Sequence, residues 1–503
     1  LITEERYKKL CEACDSMLLT PGVSKERVAI PWLHVIREHP IGLAGYKFLF
    51  EESPQSGIRP SFRISSYLKK LVKQVSLILS STSWWRSSHK NYEKVDILFV
   101  SHLLNSSHVG KEYDFYFADI PKKLEVHGIT SAMALINHIP DTREMDLAWK
   151  TAQTQRFVLS ESIGLFREFV LYISSLRESV KIRKEARRME SSLKRNVALH
   201  AAIEARNGSA LYSLRIGRQV EKLIHKLNPT AVIVTFEGHA WERIVFADAR
   251  KAKPGILCIG YQHAVIFRLQ HAACRNLSPR FNPDVILTAG KRGFHSLVKA
   301  AMADVSIAIL GSDRHVNTKN TLRDLSSPPT CLVLPEGEIS ECDILFKFSL
   351  ICAIKLPDII FIWRMHPVVN FEQLREHDSI FTKLPPNIIL STSSFEEDTA
   401  RSRWTLYRGS TAAIQAECKG LKGIYLNRKG EMTIDPLYEL TEWKTTVTTV
   451  DEFVEFVKSD PAVPPGSNLP DEIAAQKYCA SFFNEIDVSP IIEILSTERN
   501  DKK

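Results

Sequence analysis

Trp404-Thr-Leu-Tyr-Arg-Gly-Ser-Thr-Ala-Ala-Ile-Gln-Ala-Glu-Cys-Lys-Gly420 is the stretch whose reading decides the fold. Trp404 to Tyr407 reads as the end of a buried strand, Gly409-Ser-Thr411 as a tight turn, and Ala412 to Cys418 as a helix closed by Gly420. A strand, a polar turn and a helix start in that order present backbone N–H groups and the positive end of a helix dipole, which suits a phosphate. Ser410 and Thr411 add hydroxyl donors. The competing reading is that one of the two hydroxyls simply caps the helix.

Two companions lie upstream. Ile359-Ile-Phe-Ile-Trp-Arg-Met-His-Pro367 is an apolar run of strand type that ends in Arg364, His366 and Pro367. Cys331-Leu-Val-Leu-Pro-Glu-Gly-Glu338 is another, ending in a turn with Glu336 and Glu338 around Gly337. Buried parallel strands deliver their last residues to the carboxyl edge of the sheet, where ligands of doubly wound folds bind. Three strands therefore bring polar residues to one edge.

The same pattern occurs earlier. Val95 to His102 opens an α/β region, Thr230-Ala-Val-Ile-Val-Thr-Phe-Glu237 ends in an acid, and Gly255-Ile-Leu-Cys-Ile-Gly-Tyr-Gln-His263 ends in an imidazole. Pro283 to Gly290 repeats the geometry. Glu237 and His263 at adjacent strand ends are candidates for a general base, with helix capping as the alternative for each. The loop Leu103 to Asp119 holds His108, Asp114, Tyr116 and Asp119 but no G-x-G-x-x-G fingerprint, which leaves a dinucleotide site unsupported.

At 503 residues, 44% hydrophobic and 25% charged, the chain has globular composition and room for two or three domains. The expected division is an N-terminal helical and basic segment at 1–92, a first α/β domain at 93–315 with a helical insertion at 144–228, and a second α/β domain at 316–503, the break falling in the polar stretch Gly311 to Pro329. A net charge of +8 favours anionic partners. Nine cysteines scattered from Cys11 to Cys479 make no disulfide framework, and Cys11-x-x-Cys14 has neither a second pair nor a nearby histidine to complete a zinc site. No signal peptide or spanning stretch is visible, so a cytoplasmic protein is expected. Tyr67-Leu-Lys-Lys-Leu-Val-Lys-Gln-Val-Ser-Leu-Ile-Leu79, followed by Trp84-Trp85-Arg86, reads either as a basic helix at a membrane interface or as one packed on the core. The run Lys181 to Arg188 lacks interleaved aromatics and reads as a solvated face, so no nucleic-acid partner is expected.

Two doubly wound, Rossmann-like domains facing a cleft describe the GT-B architecture. Val333 to Glu338, Arg364-Met-His-Pro367 and Tyr407 to Ala416 resemble, in order, the acidic-glycine, His-Pro and Ser/Thr motifs of bacterial GT-B glycosyltransferases that use cytidine-activated donors in surface-polysaccharide assembly, the Kdo and sialyl-type transferases. A wider resemblance, to surface-carbohydrate biosynthesis proteins with Phe-Glu-Gly-His-Ala-Trp-Glu-Arg and Tyr-Gln-His, covers most of 93–440. The resemblance implies an enzyme acting on a CMP-sugar and a glycan or lipid-linked acceptor, with peripheral contact at the cytoplasmic face of the inner membrane; no metal or cofactor is expected, since no Asp-x-Asp occurs in a plausible loop and a helix dipole with His366 and Arg364 can neutralise the leaving phosphate. It implies that His366 binds the donor phosphate with Arg364 beside it, that Gly409, Ser410 and Thr411 hold the same phosphate, and that Glu336 and Gly337 lie near the cytidine or the reacting sugar. Glu237 or His263 would deprotonate the acceptor, or Glu237 would act as nucleophile in a retaining enzyme. The sequence departs from many GT-B enzymes at the ribose position, where Gln415 stands and Glu417 follows two residues later. The alternatives are a CDP-polyol phosphotransferase of teichoic-acid type, a GT-B epimerase and a noncatalytic scaffold.

Overall fold

A computed structural model describes residues 3–34, 45–51, 84–87, 92–104, 113–139, 154–269, 272–300, 304–316, 328–460 and 469–500. The expected helix at Tyr67 to Leu79 lies outside these residues, as does most of the expected domain break.

The first sheet is built from β1 (Trp85–Ser87), β2 (Ile97–Leu103), β3 (Ser131–Asn137), β4 (Gln155–Leu159), β5 (Ala231–Thr235), β6 (Leu257–Gln262), β7 (Val285–Thr288) and β8 (Ser306–Ile309). Its spatial order is β1-β4-β3-β2-β5-β6-β7-β8, parallel throughout except for the antiparallel edge strand β1. Successive side chains explain the double burial. Leu98, Val100, Val232 and Val234 enter one core, while Ile97, Phe99 and Ile233 enter the core on the opposite face.

The second sheet comprises β9 (Thr330–Leu334), β10 (Ile360–Trp363), β11 (Ile388–Leu390), β12 (Trp404–Tyr407), β13 (Lys422–Leu426) and β14 (Lys444–Val447), in the order β11-β10-β9-β12-β13-β14, all parallel. Trp363 and Trp404 are fully buried on one face, and each indole N–H has a partner, the Ser349 hydroxyl at 2.9 Å and Asp460 Oδ2 at 2.9 Å. Both sheets reverse their winding direction once, between β2 and β5 and between β9 and β12. These are the topological switch points, and the crevices outside their carboxyl ends are where doubly wound folds bind ligands. The chain is thus built on two doubly wound α/β sheets.

Two expectations need correcting. Gln155–Leu159, inside the stretch expected to be helical, is strand β4, and Trp85–Ser87, inside the N-terminal helical segment, is β1 paired with it. Further along that stretch the helices Leu165–Ala186, Ser192–Glu204 and Gly208–Leu227 share a core with the N-terminal helix Glu4–Leu18. Cys11 and Cys14 are buried in this core.

At the other end, helix Pro470–Ala480 packs on helix Ala412–Cys418, and the chain then crosses to the first sheet. Backbone bonds from Asn484 N to Ala289 O at 2.9 Å and from Asp487 N to Leu310 O at 2.8 Å stitch it to the ends of β7 and β8. Val488, Ile491 and Leu495 enter the first sheet's core. Among the described residues no helix is long and apolar enough to cross a membrane.

Candidate active site

At the first switch point the ends of β2, β3, β5 and β6 deliver His102, His138, Glu237 and His263 to one edge. Glu237 Oε1 stands 3.3 Å from His263 Nε2, and its other oxygen 3.7 Å from His239 Nε2. His102 Nδ1 and His138 Nε2 are 2.8 Å apart, so one ring donates and the other accepts. The rings of Tyr116 and His263 lie 4.3 Å apart, and Trp241 meets His102 edge-on at 5.1 Å. Burial pushes His263 down to about 4 and His102 down to about 3, the neighbouring His138 adding to the latter. Both imidazoles are therefore neutral near pH 7. At 3.3 Å a neutral His263 whose Nε2 carries the proton is placed to hydrogen-bond to the Glu237 carboxylate.

The turn that carries Glu237 is held from beneath. Glu242, buried in the first turn of helix Ala240–Ala252, accepts from the backbone N–H groups of Glu237 at 3.0 Å, Gly238 at 2.8 Å and His239 at 2.8 Å. Burial nevertheless raises its carboxyl to about 7. Gly238 has φ +87° and lies so close to the Ala272 carbonyl that a methyl group there would sit 2.3 Å from it. Arg243 is fully buried, donates to Asn282 Oδ1 and to the carbonyls of Ala272 and Arg275, and lies 4.8 Å over the Phe236 ring. Phe236 to Arg243 is accordingly one mechanical unit around Glu237. Asp114, in the loop flagged from the sequence, is buried and occupied by Ser101 and by the N–H groups of Tyr116 and Phe117, so it shapes the turn that presents Tyr116.

At the second switch point Glu336 follows β9 and Gly409 follows β12. A methyl group on Gly409 would stand 1.4 Å from Glu336 Oε1, so the carboxylate lies directly on the glycine backbone. A methyl group on Gly337 would stand 2.9 Å from both Cε1 and Nδ1 of His366. The structure therefore brings Glu336, Gly337, His366 and Gly409 together, with Ser410 and Thr411 next in the chain. Nδ1 of His366 accepts from the Val368 N–H at 3.4 Å, which leaves Nε2 to carry the proton outward. Burial lowers the His366 pKa, partly countered by Glu336. Thr411 is the N-cap residue but makes no side-chain capping bond, contrary to the capping alternative for that residue.

Two predicted residues stand apart from this group. Arg364 Nη1 donates to Asp398 Oδ2 at 2.8 Å and to the Ser393 carbonyl at 2.8 Å, which commits the guanidinium to its own domain. Glu417 is wholly buried; a methyl group on Gly423 would lie 1.9 Å from its Oε1. Burial, with the charge of Asp435 adding to it, holds the Glu417 carboxyl well above its ordinary range. It faces the core rather than a ribose.

Arg314, like Glu242, His102 and His138, was not singled out by sequence reasoning. Its guanidinium donates to the His263 carbonyl and lies 4.3 Å over the Phe483 ring, and its own carbonyl accepts from Gln415 Nε2 at 3.4 Å. Arg314 thus links the β6 edge of the first domain to the helix that follows Thr411 in the second.

No protein-family profile matches the chain, and no curated protein matches it. Solved structures similar to it include a UDP-GlcNAc 2-epimerase from Methanocaldococcus jannaschii (13% identity, TM-score 0.46, covering 80% of this chain and 99% of that one). The glycosyltransferase SnogD from Streptomyces nogalater (9%, 0.43, 81% and 100%) and MurG from Acinetobacter baumannii (8%, 0.42, 80% and 99%) are further examples.

Proposed function

We propose that the chain transfers a sugar from a nucleotide donor, CMP-linked and of the Kdo or nonulosonic-acid type, to a glycan or lipid-linked acceptor. The observation that carries the reading is the meeting of Glu336, His366 and the Gly409-Ser410-Thr411 turn at the second switch point, in the same chain as the Glu237–His263 pair at the first. In this mechanism the donor phosphate rests against the hydroxyls of Ser410 and Thr411 and the Nε2–H of His366. Glu336 accepts hydroxyls of the ribose or sugar. Glu237 takes the proton of the acceptor hydroxyl as its oxygen bonds to the anomeric carbon, and the bond from that carbon to the phosphate oxygen breaks to release CMP. His366 stabilises the charge that develops on the departing phosphate.

A thermal-shift panel of CMP, CDP, UDP and GDP on the wild type and on His366→Ala tests this, because a ligand that binds only the folded state raises its stability. Selective stabilisation by CMP, lost in the variant, is the expected result. Preference for CDP would favour the polyol phosphotransferase, preference for UDP an epimerase or another sugar transferase, and no response the scaffold.

A further inference from the structure

The helix Leu165–Ala186 sorts its charges by face. Glu168, Leu171, Ser175, Glu178, Ile182 and Ala186 recur every three or four residues and are buried. All three glutamates of this helix are taken up by arginines of other elements: Glu168 by Arg215 at 2.6 Å, Glu178 by Arg27 at 2.7 Å and Glu185 by Arg27 at 2.9 Å. On the solvent side the one acid is Glu185 at the margin, 35% exposed and already paired with Arg27. That side carries Phe166, 78% exposed, Phe169, 60% exposed, and Val170 in the first two turns, then Arg177, Lys181 and Lys184 further along. Beside it Trp84 lies beneath two cations, Arg167 at 4.9 Å and Lys222 at 4.0 Å, and Lys226 lies 4.5 Å over Tyr92.

An apolar tip continuous with a cationic face whose one marginal acid is already paired has the composition of an interfacial helix. Nucleic acid fits this face less well, since stacking platforms would have to alternate with the cations, whereas here the aromatic residues gather at one end. We infer that this face rests on an anionic lipid surface. Phe166, Phe169 and Val170 enter the boundary between headgroups and acyl chains, and Arg177, Lys181, Lys184 and Lys222 meet the lipid phosphates. The inference stands apart from the nucleotide reading, which the thermal-shift panel tests separately.

Co-sedimentation of the full chain with phosphatidylcholine vesicles, with and without phosphatidylglycerol, tests it. The chain partitions onto the anionic vesicles and not onto phosphatidylcholine alone. Phe166→Glu with Phe169→Glu lowers the partition at least about tenfold by removing buried apolar area. Lys181→Glu with Lys184→Glu lowers it about tenfold or more, each cation near a charged bilayer contributing severalfold. All four side chains are exposed, so melting temperatures stay near that of the parent. A parent chain that ignores phosphatidylglycerol vesicles, or double variants that sediment as the parent does, overturns the proposal and points to a protein partner for this face.

Discussion

The two carboxyl edges are built from similar strands and yet hold their polar groups differently. At the first edge the side chains brace one another: Glu237 is set between two imidazoles, and its turn is gripped by the buried Glu242. At the second edge the contacts run to glycine backbone, with Glu336 lying on Gly409 and His366 against Gly337. A base needs a fixed position and a tuned neighbour. A phosphate or ribose needs room and donors left for it. The difference between a braced edge and a backbone-lined one is what the proposed division of labour requires.

The largest expected effect that probes this contrast comes from adding one methyl group on each side. Gly238→Ala forces a positive-φ position and an overlap with the Ala272 carbonyl, a backbone group that cannot move alone. It should cost about 3 kcal/mol or more in urea denaturation. Gly409→Ala displaces the end of the Glu336 side chain instead, so the expected loss of stability is about 1 kcal/mol or less. Nucleotide binding, followed by thermal shift, should be lost. Equal stability losses would erase the distinction between the edges.

Acid should strike the first edge. His263 is held at about 4, below its unfolded value near 6.5. Below pH 6.5 the unfolded chain takes up the proton first, so stability supplied by the neutral ring above that pH is lost as pH falls toward 4. The loss through this one group is about 3 kcal/mol. His102, held still lower by burial, acts in the same direction. Denaturation midpoints at pH 7 and pH 4.5 should differ less in His263→Asn than in the wild type, and an unchanged pH dependence would contradict the buried neutral ring.

Glu242→Gln sharpens the comparison further. The amide keeps one acceptor for three N–H donors and gives up the charge, for an expected cost of about 1 to 2 kcal/mol. Turnover of a CMP-sugar should fall through kcat while CMP affinity is unchanged, because the damage is confined to the Glu237 turn. A variant that loses CMP affinity instead would place nucleotide contacts at the wrong edge.

Much of this was legible in the sequence because buried parallel strands are written as apolar runs. β5, β6, β9, β10 and β12 announce themselves in that way, and Glu237, His263, Glu336, His366 and Ser410 follow their ends by one to three residues. β4 was hidden because Gln155 and Arg156 open it, and nothing in a polar pair signals that both are buried. Glu242 was hidden for a different reason. A glutamate in the first turn of a helix looks like an ordinary capping partner, and only the fold shows that it gathers three N–H groups of the Glu237 turn. His102 and His138 join the site through strand order, which chain order does not reveal, and Arg314 reaches back to it from the loop after β8. Glu417 was misplaced by helical geometry: two residues beyond Gln415 is about 200° around the helix, so the acid turns inward while Gln415 faces the first domain.

The most direct test of the divided site is calorimetric titration of CMP into the wild type, Glu237→Gln and His366→Ala. The account predicts that Glu237→Gln binds CMP within about twofold of the wild type, while His366→Ala binds at least about tenfold more weakly for want of one hydrogen bond to a charged phosphate. Absence of CMP binding in the wild type, or an equal loss in both variants, would contradict it.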